Sequence, residues 1–202
     1  LFTGIVEAQG RIAAVEAVGG DRRLTIVTDG SYLDGIHVGD SIAVNGVCLT
    51  AVTLPPRGFT ADVSIETLDA TTARDWLAGR PVNLERALTS AKPLGGHMMS
   101  GHVDGVGRLV EQHEDARSRR LRFEAPPVLA KYIAKKGSIA VDGVSLTVNE
   151  VDAARAGSGF EVNIVPHTWT HTTLGALQVG DAVNLEVDLI ARYLERLLEA
   201  RS

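Results

Sequence analysis

Ser41-Ile-Ala-Val-Asn-Gly-Val-Cys-Leu-Thr50 returns as Ser138-Ile-Ala-Val-Asp-Gly-Val-Ser-Leu-Thr147, 97 residues further on. Within these ten positions only Asn45/Asp142 and Cys48/Ser145 differ. The same offset lays Gly4-Ile5-Val6 on Gly101-His102-Val103, Gly10-Arg11-Ile12 on Gly107-Arg108-Leu109, and Arg22-Arg23-Leu24 on Arg119-Arg120-Leu121. Beyond residue 53 the second copy gains four residues. Thr71-Thr72 then matches Thr172-Thr173, and Val82-Asn-Leu-Glu85 matches Val183-Asn-Leu-Glu186. A period sustained over nearly the whole chain means two homologous domains of similar length. The expected division is 1–97, 98–188 and a terminal segment 189–202.

Each half reads as short, β-branched segments separated by Gly and Asp. The expected strands are 10–17, 24–28, 41–44, 49–54, 59–64 and 82–85, then 107–111, 120–125, 138–141, 146–151, 161–165 and 183–187. Their spacing is the rhythm of a small barrel or sandwich. The fold class is therefore all-β: two six-stranded β-barrels in tandem, with minor helical pieces over 31–36 and 127–135. The tail differs. Apolar residues at 189, 190, 193, 194, 197 and 198 make one helical stripe. The pairs Arg192/Glu195 and Arg196/Glu199 stand at salt-bridge spacing on its outer side. Packing on its own barrel and contact with another subunit both fit that stripe.

Composition excludes several classes. The chain has 202 residues and a formal net charge of −5, without a basic block, which argues against nucleic-acid binding. No apolar run suits a membrane span, and the first residues carry no export-signal pattern. The single cysteine, Cys48, permits no internal disulfide and no multi-Cys zinc site. The expectation is a soluble, cytoplasmic protein.

Period-two alternation puts Cys48 with Thr50, and Ser145 with Thr147, on one face of their strands. These polar pairs are expected to face inward and to need a partner such as a bound heterocycle. Cys48 also reads as a small hydrophobe, and Ser145 and Thr147 as local backbone caps. His102 is the most asymmetric position, because its counterpart is Ile5. It can exchange a proton near neutral pH, or serve as a structural histidine in a Gly-rich loop. His97 and His102 match no strong metal-ligand spacing, so no metal is expected. The glycines at 95, 96, 101 and 105 permit close backbone approach, but the ending of a phosphate loop is absent.

Phe2-Thr-Gly-Ile-Val-Glu7, Gly95-Gly-His-Met-Met-Ser-Gly-His-Val-Asp-Gly105 and the paired Asn/Asp-Gly-Val-Cys/Ser-Leu-Thr motifs together resemble the riboflavin synthase family. The resemblance covers essentially the whole chain. It implies a homotrimer held by the C-terminal helices, a reaction without a cofactor, and sites between the N-barrel of one subunit and the C-barrel of its neighbour. The implied reaction is dismutation of two 6,7-dimethyl-8-ribityllumazine molecules to riboflavin and a ribitylamino-pyrimidinedione. A non-catalytic lumazine or flavin carrier of the same family is the alternative.

The resemblance assigns catalytic roles to Cys48, His102 and Ser145. It assigns substrate contacts to Gly4, Ile5, Val6, Cys48, Leu49, Thr50, Asp62, Val63, Ser64, Ile65, Glu66 and Thr67. In the second half these become Gly101, His102, Val103, Lys136, Ser145, Leu146, Thr147, Ile164, Val165, Pro166, His167, Thr168 and Trp169. Glu66 and Thr67 suit a polyol, which needs paired donors and acceptors. The second half departs from the family by placing His167 where a glutamate is usual. Asp188 is expected to cap the terminal helix or to reach the site.

Overall fold

The computed structural model describes residues 1–152 and 158–200. Among the described residues, twelve strands form two closed antiparallel barrels. The first contains β1 (Ala8–Val18), β2 (Asp21–Val27), β3 (Ser41–Val44), β4 (Val47–Thr53), β5 (Gly58–Val63) and β6 (Pro81–Arg86). The second contains β7 (Gly105–Asp115), β8 (Ser118–Glu124), β9 (Ser138–Val141), β10 (Val144–Asp152), β11 (Gly159–Ile164) and β12 (Ala182–Val187). Around the first barrel the order is β1-β2-β5-β4-β3-β6, and the second repeats it as β7-β8-β11-β10-β9-β12. The bulges repeat too, at Ile12/Ala14 and Leu109/Glu111, and at Ala51/Thr53 and Val148/Glu150. Closure leaves no free sheet edge in either half.

Alternation fills each barrel with side chains. Ile12, Leu24, Ile26, Leu49, Phe59, Val63 and Leu84 are buried in the first, and Leu109, Leu121, Phe123, Leu146, Phe160, Ile164 and Leu185 in the second. The first core carries Trp76 where the second has Leu177. The second carries Phe123, stacked on Phe160 at 5.5 Å, where the first has Ile26. Barrels of this size are filled by such side chains.

Short helices follow the fifth strand of each barrel: α1 (Ile65–Ala70) and α2 (Pro166–His171), each continued by a 3₁₀ turn. The strand pattern extended to Ser64 and Val165, but both residues are helix N-caps. Ser64 Oγ accepts from Thr67 N–H, and Pro166 occupies the first turn, where its missing N–H costs nothing. The expected helical pieces are 3₁₀ turns, Gly30–Leu33 and Pro127–Tyr132. Two of the four extra residues lengthen β10. The remainder of the insertion falls largely in 153–157, outside the described residues, as do the last two residues of the terminal segment.

The terminal helix α3 (Leu189–Glu199) is capped by Asp188, whose carboxylate accepts from Ile190 N–H. Arg196 and Glu199 pair as expected, at 3.5 Å. Arg192 and Glu195 do not pair with each other. Arg192 bonds Asp104 at 2.5 Å and the His102 carbonyl at 2.8 Å, and Glu195 takes Lys131 and Tyr132. Polar contacts therefore dock the helix on the second barrel, and Ile190, Tyr193, Leu194, Leu197 and Leu198 remain exposed on this chain.

The barrels meet at their repeated turns. Gly46 and Gly143, at φ +79° and +78°, face each other so closely that a Cβ on either would lie within 2.8 Å of the other's nitrogen. Around them runs a buried, exchanged network. Asn83 Nδ2 donates to the Asp142 carbonyl and Asn184 Nδ2 to the Asn45 carbonyl, both at 2.9 Å. Thr72 N–H donates to Asn184 Oδ1, and Thr173 N–H to Asn83 Oδ1. Asn45 Oδ1 and Asp142 Oδ1 accept from the N–H groups of Asn83 and Asn184.

Asp142 is the one ionisable member, and burial pushes its carboxyl up to about 7. The folded protein thus holds this proton more tightly than the unfolded chain. Its stabilising contribution is complete below the ordinary carboxylate range and is lost as pH rises through about 7. Asp142→Asn, which copies Asn45, is expected to raise the melting temperature at pH 8 and leave it little changed at pH 4. Parallel thermal melts of both proteins across that range check this, and equal melting temperatures at pH 8 would remove Asp142 from the account.

Candidate functional site

The expected inward orientation of the polar motif pairs is overturned. Along β4, Val47, Leu49 and Ala51 are buried, Cys48 is half-buried and Thr50 is exposed; β10 repeats this with Ser145 and Thr147. The apolar alternates take the barrel interior, so the polar face must look outward. Val63 and Ile164 also point into the cores, which leaves them, like Leu49 and Leu146, only main chain to offer a ligand.

What covers the outward faces is the segment leading into the opposite barrel. Cys48 N–H donates to the Gly101 carbonyl at 2.9 Å, and Ser145 N–H to the Gly4 carbonyl at 2.8 Å. Val103 packs against the first core and Val6 against the second. Two buried carboxylates hold these segments. Glu85 accepts from Thr3 N–H and Oγ1 at 2.7 Å and from Gly4 N–H at 2.9 Å. Glu186 accepts from Ser100 N–H at 2.7 Å, Ser100 Oγ at 2.6 Å and Gly101 N–H at 3.0 Å. Burial pushes the Glu186 carboxyl up against the pull of these bonds. Gly4 and Gly101 sit at φ +75° and +77°, and a Cβ on either would strike the Cβ of Ser145 or Cys48.

Each candidate site is thus assembled from both halves. In the first, a cleft of about 230 Å³ brings together Cys48, Glu66, Thr67, Gly101, His102 and Val103. His102 is exposed there, its N–H on Ser100 Oγ at 3.3 Å and its carbonyl held by Arg192. Asp62 lies apart from this cleft, in a two-bond pair with Arg23 that holds its carboxyl below the usual range. Ile65 is exposed, its N–H donating to Asp21.

In the second site Ser145 Oγ lies 2.6 Å from His97 Nδ1. His97 is buried and its Nε2 has no partner; burial pushes this imidazole below its ordinary value, against Asp188 and Glu85. A neutral imidazole on a serine hydroxyl can take its proton, the arrangement of an activated nucleophile. The spacing argument passed over His97 because it weighed the residue only as a metal ligand. Ile5 is half exposed beside the Gly4 turn, and Lys136 is exposed at φ +68° before β9. Val165, Pro166 and His167 are exposed on and before α2, Thr168 is half-buried, and the Trp169 ring receives Arg119 at 5.1 Å. The register also pairs Arg120 with Asn163 as it pairs Arg23 with Asp62, so Asn163 is the missed counterpart of Asp62. Its Oδ1 is buried without a partner. Among the described residues no cluster of three or more His, Cys, Asp and Glu could hold a metal.

The lumazine binding domain model matches residues 3–87 and again 100–188. Riboflavin synthase of Mycobacterium tuberculosis is 47% identical over 99% of each chain. That of Photobacterium phosphoreum is 45% identical, over 98% of this chain and 89% of its own. The chain belongs to the riboflavin synthase family. Among solved structures, LumP in complex with riboflavin superposes with a TM-score of 0.84 at 26% identity, covering 93% of this chain and 99% of LumP. Family membership accounts for the duplication, since the matched domain recurs over the two barrels.

The carboxylate grip yields a direct expectation. Glu186→Ala leaves a buried Gly101 N–H and two half-buried Ser100 donors without their acceptor, and should destabilise the protein by about 2–4 kcal/mol in chemical denaturation. Loss below 0.5 kcal/mol, within the ordinary scatter of surface substitutions, would mean the leading segment is held by other contacts.

Proposed function

We propose that this chain is a riboflavin synthase, joining two molecules of 6,7-dimethyl-8-ribityllumazine by transfer of a four-carbon unit to give riboflavin and 5-amino-6-ribitylamino-pyrimidinedione. The observation that carries this reading is the pair of composite sites, each a motif strand crossed by the other half's leading segment. A reaction between two like molecules asks for two like pockets. No cofactor is required, because the substrate's own heterocycle delocalises the charge.

In this reading the second site supplies the nucleophile. Ser145, with His97 to receive its proton, or a water held there, adds to ring carbon 7 of the donor. The acceptor loses a proton from its 7-methyl group, and main-chain N–H groups beside the ring stabilise the resulting anion. His102, in the cleft with Cys48, is placed to exchange that proton. Glu66 and Thr67 hold the ribityl chain, main-chain groups of Val63–Ile65 and the segment Ile164–Trp169 line the ring edges, and Asp62 stays outside with Arg23. Holding two rings face to face contributes several kcal/mol of barrier reduction.

The exposed stripe of α3 supports a homotrimer, the oligomer that would bring a first-barrel site against the second-barrel site of a neighbour. We accordingly divide the chain into 1–97, 98–188 and an assembling segment 189–202, and place the enzyme in the cytoplasm. No described helix is long and apolar enough to cross a membrane.

Incubating the protein with 6,7-dimethyl-8-ribityllumazine alone should yield riboflavin at half the molar amount consumed, followed by absorbance. Binding without conversion would favour the chromophore carrier, whose structural relative is LumP. His97→Gln should lower kcat by about a hundredfold, in the range expected for loss of a general base, while leaving the melting temperature within a few degrees. Unchanged kcat would remove the Ser145–His97 pair from the mechanism. Leu194→Glu on the exposed stripe should convert the trimer to monomer in sedimentation equilibrium, with loss of turnover. A monomeric, fully active wild-type chain would overturn the intersubunit site.

A further inference from the structure

The second barrel carries a feature with no counterpart in the first. His167 and His171 lie four residues apart on α2, where the first half has Glu66 and Ala70. Residues at this spacing share one helix face. Their rings stack with centroids 4.1 Å apart and planes 11° from parallel. Both side chains are exposed.

The hydrogen bonds fix the state of one ring. His171 Nδ1 lies 2.8 Å from the His167 carbonyl oxygen, which can only accept, so Nδ1 carries the proton. In the neutral imidazole the lone pair is then on Nε2. Thr170 Oγ1, 2.9 Å from the same Nδ1, braces the ring from the other side. A histidine whose one nitrogen donates to a main-chain carbonyl while the other is left free is the usual posture of a metal ligand. The stacked rings, 11° from parallel, hold their in-plane lone pairs side by side, so one ion is shared only when the exposed His167 ring turns about its side-chain bonds toward an ion at His171 Nε2; two histidines four residues apart on one helix face have the spacing for this. Arg119, over the Trp169 ring, is itself paired with Glu114 at 2.7 Å.

We propose that His167 and His171 form a two-histidine site for a divalent transition-metal ion of the zinc, nickel and copper class, with water filling the remaining positions. Imidazole nitrogen suits this class, whereas magnesium and calcium prefer oxygen. The site lies on α2 and shares His167 with the ring-edge segment of the reading above, but it supplies no step of that reaction.

Calorimetric titration of the chelator-treated full-length protein with NiCl₂ should give one saturable site per chain. His171→Ala and His167→Gln should each weaken it at least about tenfold, since even indirect loss of ligand support costs that much. His113→Ala, which removes the imidazole near Glu111, should leave it unchanged. Nickel should also quench the fluorescence of Trp169, between the two histidines, along the same isotherm; Trp169→Phe identifies that signal against buried Trp76. Since both histidines are exposed, the variants are expected to fold, and circular dichroism checks this. No saturable binding to the wild-type chain, or equal affinity in the two histidine variants, would overturn the proposal.

Discussion

Everything in this molecule depends on two buried carboxylates, each gripping the segment that leads into its own barrel. Glu85 and Glu186 each satisfy two main-chain N–H groups and a hydroxyl. Those groups would be costly to bury unpaired, so the grip dictates where each segment runs. It runs across the motif strand of the opposite barrel, where Gly4 and Gly101 offer their carbonyls to Ser145 and Cys48. Catalytic candidates and barrel-to-barrel packing are therefore set by the same bonds. The Asn45–Asn83–Asp142–Asn184 network continues this exchange at the junction, leaving few buried polar atoms there without a partner.

Thr173 is one that remains. Its counterpart Thr72 accepts the Trp76 indole N–H at 3.0 Å, but the second half has Leu177, and Thr173 Oγ1 is left buried without a partner. The duplicated halves have thus drifted in small, local ways around a shared frame. Ser145 has His97 beside it, whereas Cys48 shares its cleft with His102 and Glu66. Two pockets of common ancestry can in this way take different parts in one reaction.

The barrels were legible because the repeat is nearly gapless and alternation with period two marks core positions such as Leu49, Phe59 and Leu146. The short helices were not. Ile65–Ala70 follows a strand directly, and six residues are too few to show a helical stripe. The terminal helix was legible for the opposite reason, with eleven residues carrying a regular stripe. At the site, the family resemblance named Cys48, Glu66, Thr67 and Gly101–Val103, and these line one cleft. It assigned the motif face wrongly, since alternation tells which residues share a face but not which face a barrel closes around. It also passed over His97, Glu85 and Glu186, whose partners lie 48, 82 and 86 residues away. The repeated Asn-Leu-Glu at 83–85 and 184–186 was the available signal: charged and amide residues recurring inside otherwise apolar strands need buried partners.

The crossing of the leading segments bears on how such a chain could arise. A polypeptide containing one barrel would carry a leading segment shaped for a motif strand it could not itself reach. It would find that strand only on a second copy, giving a two-fold dimer with identical halves. Fusing two copies end to end keeps every one of those contacts but releases the halves from identity. A substitution at the cysteine position of one then no longer alters both pockets at once.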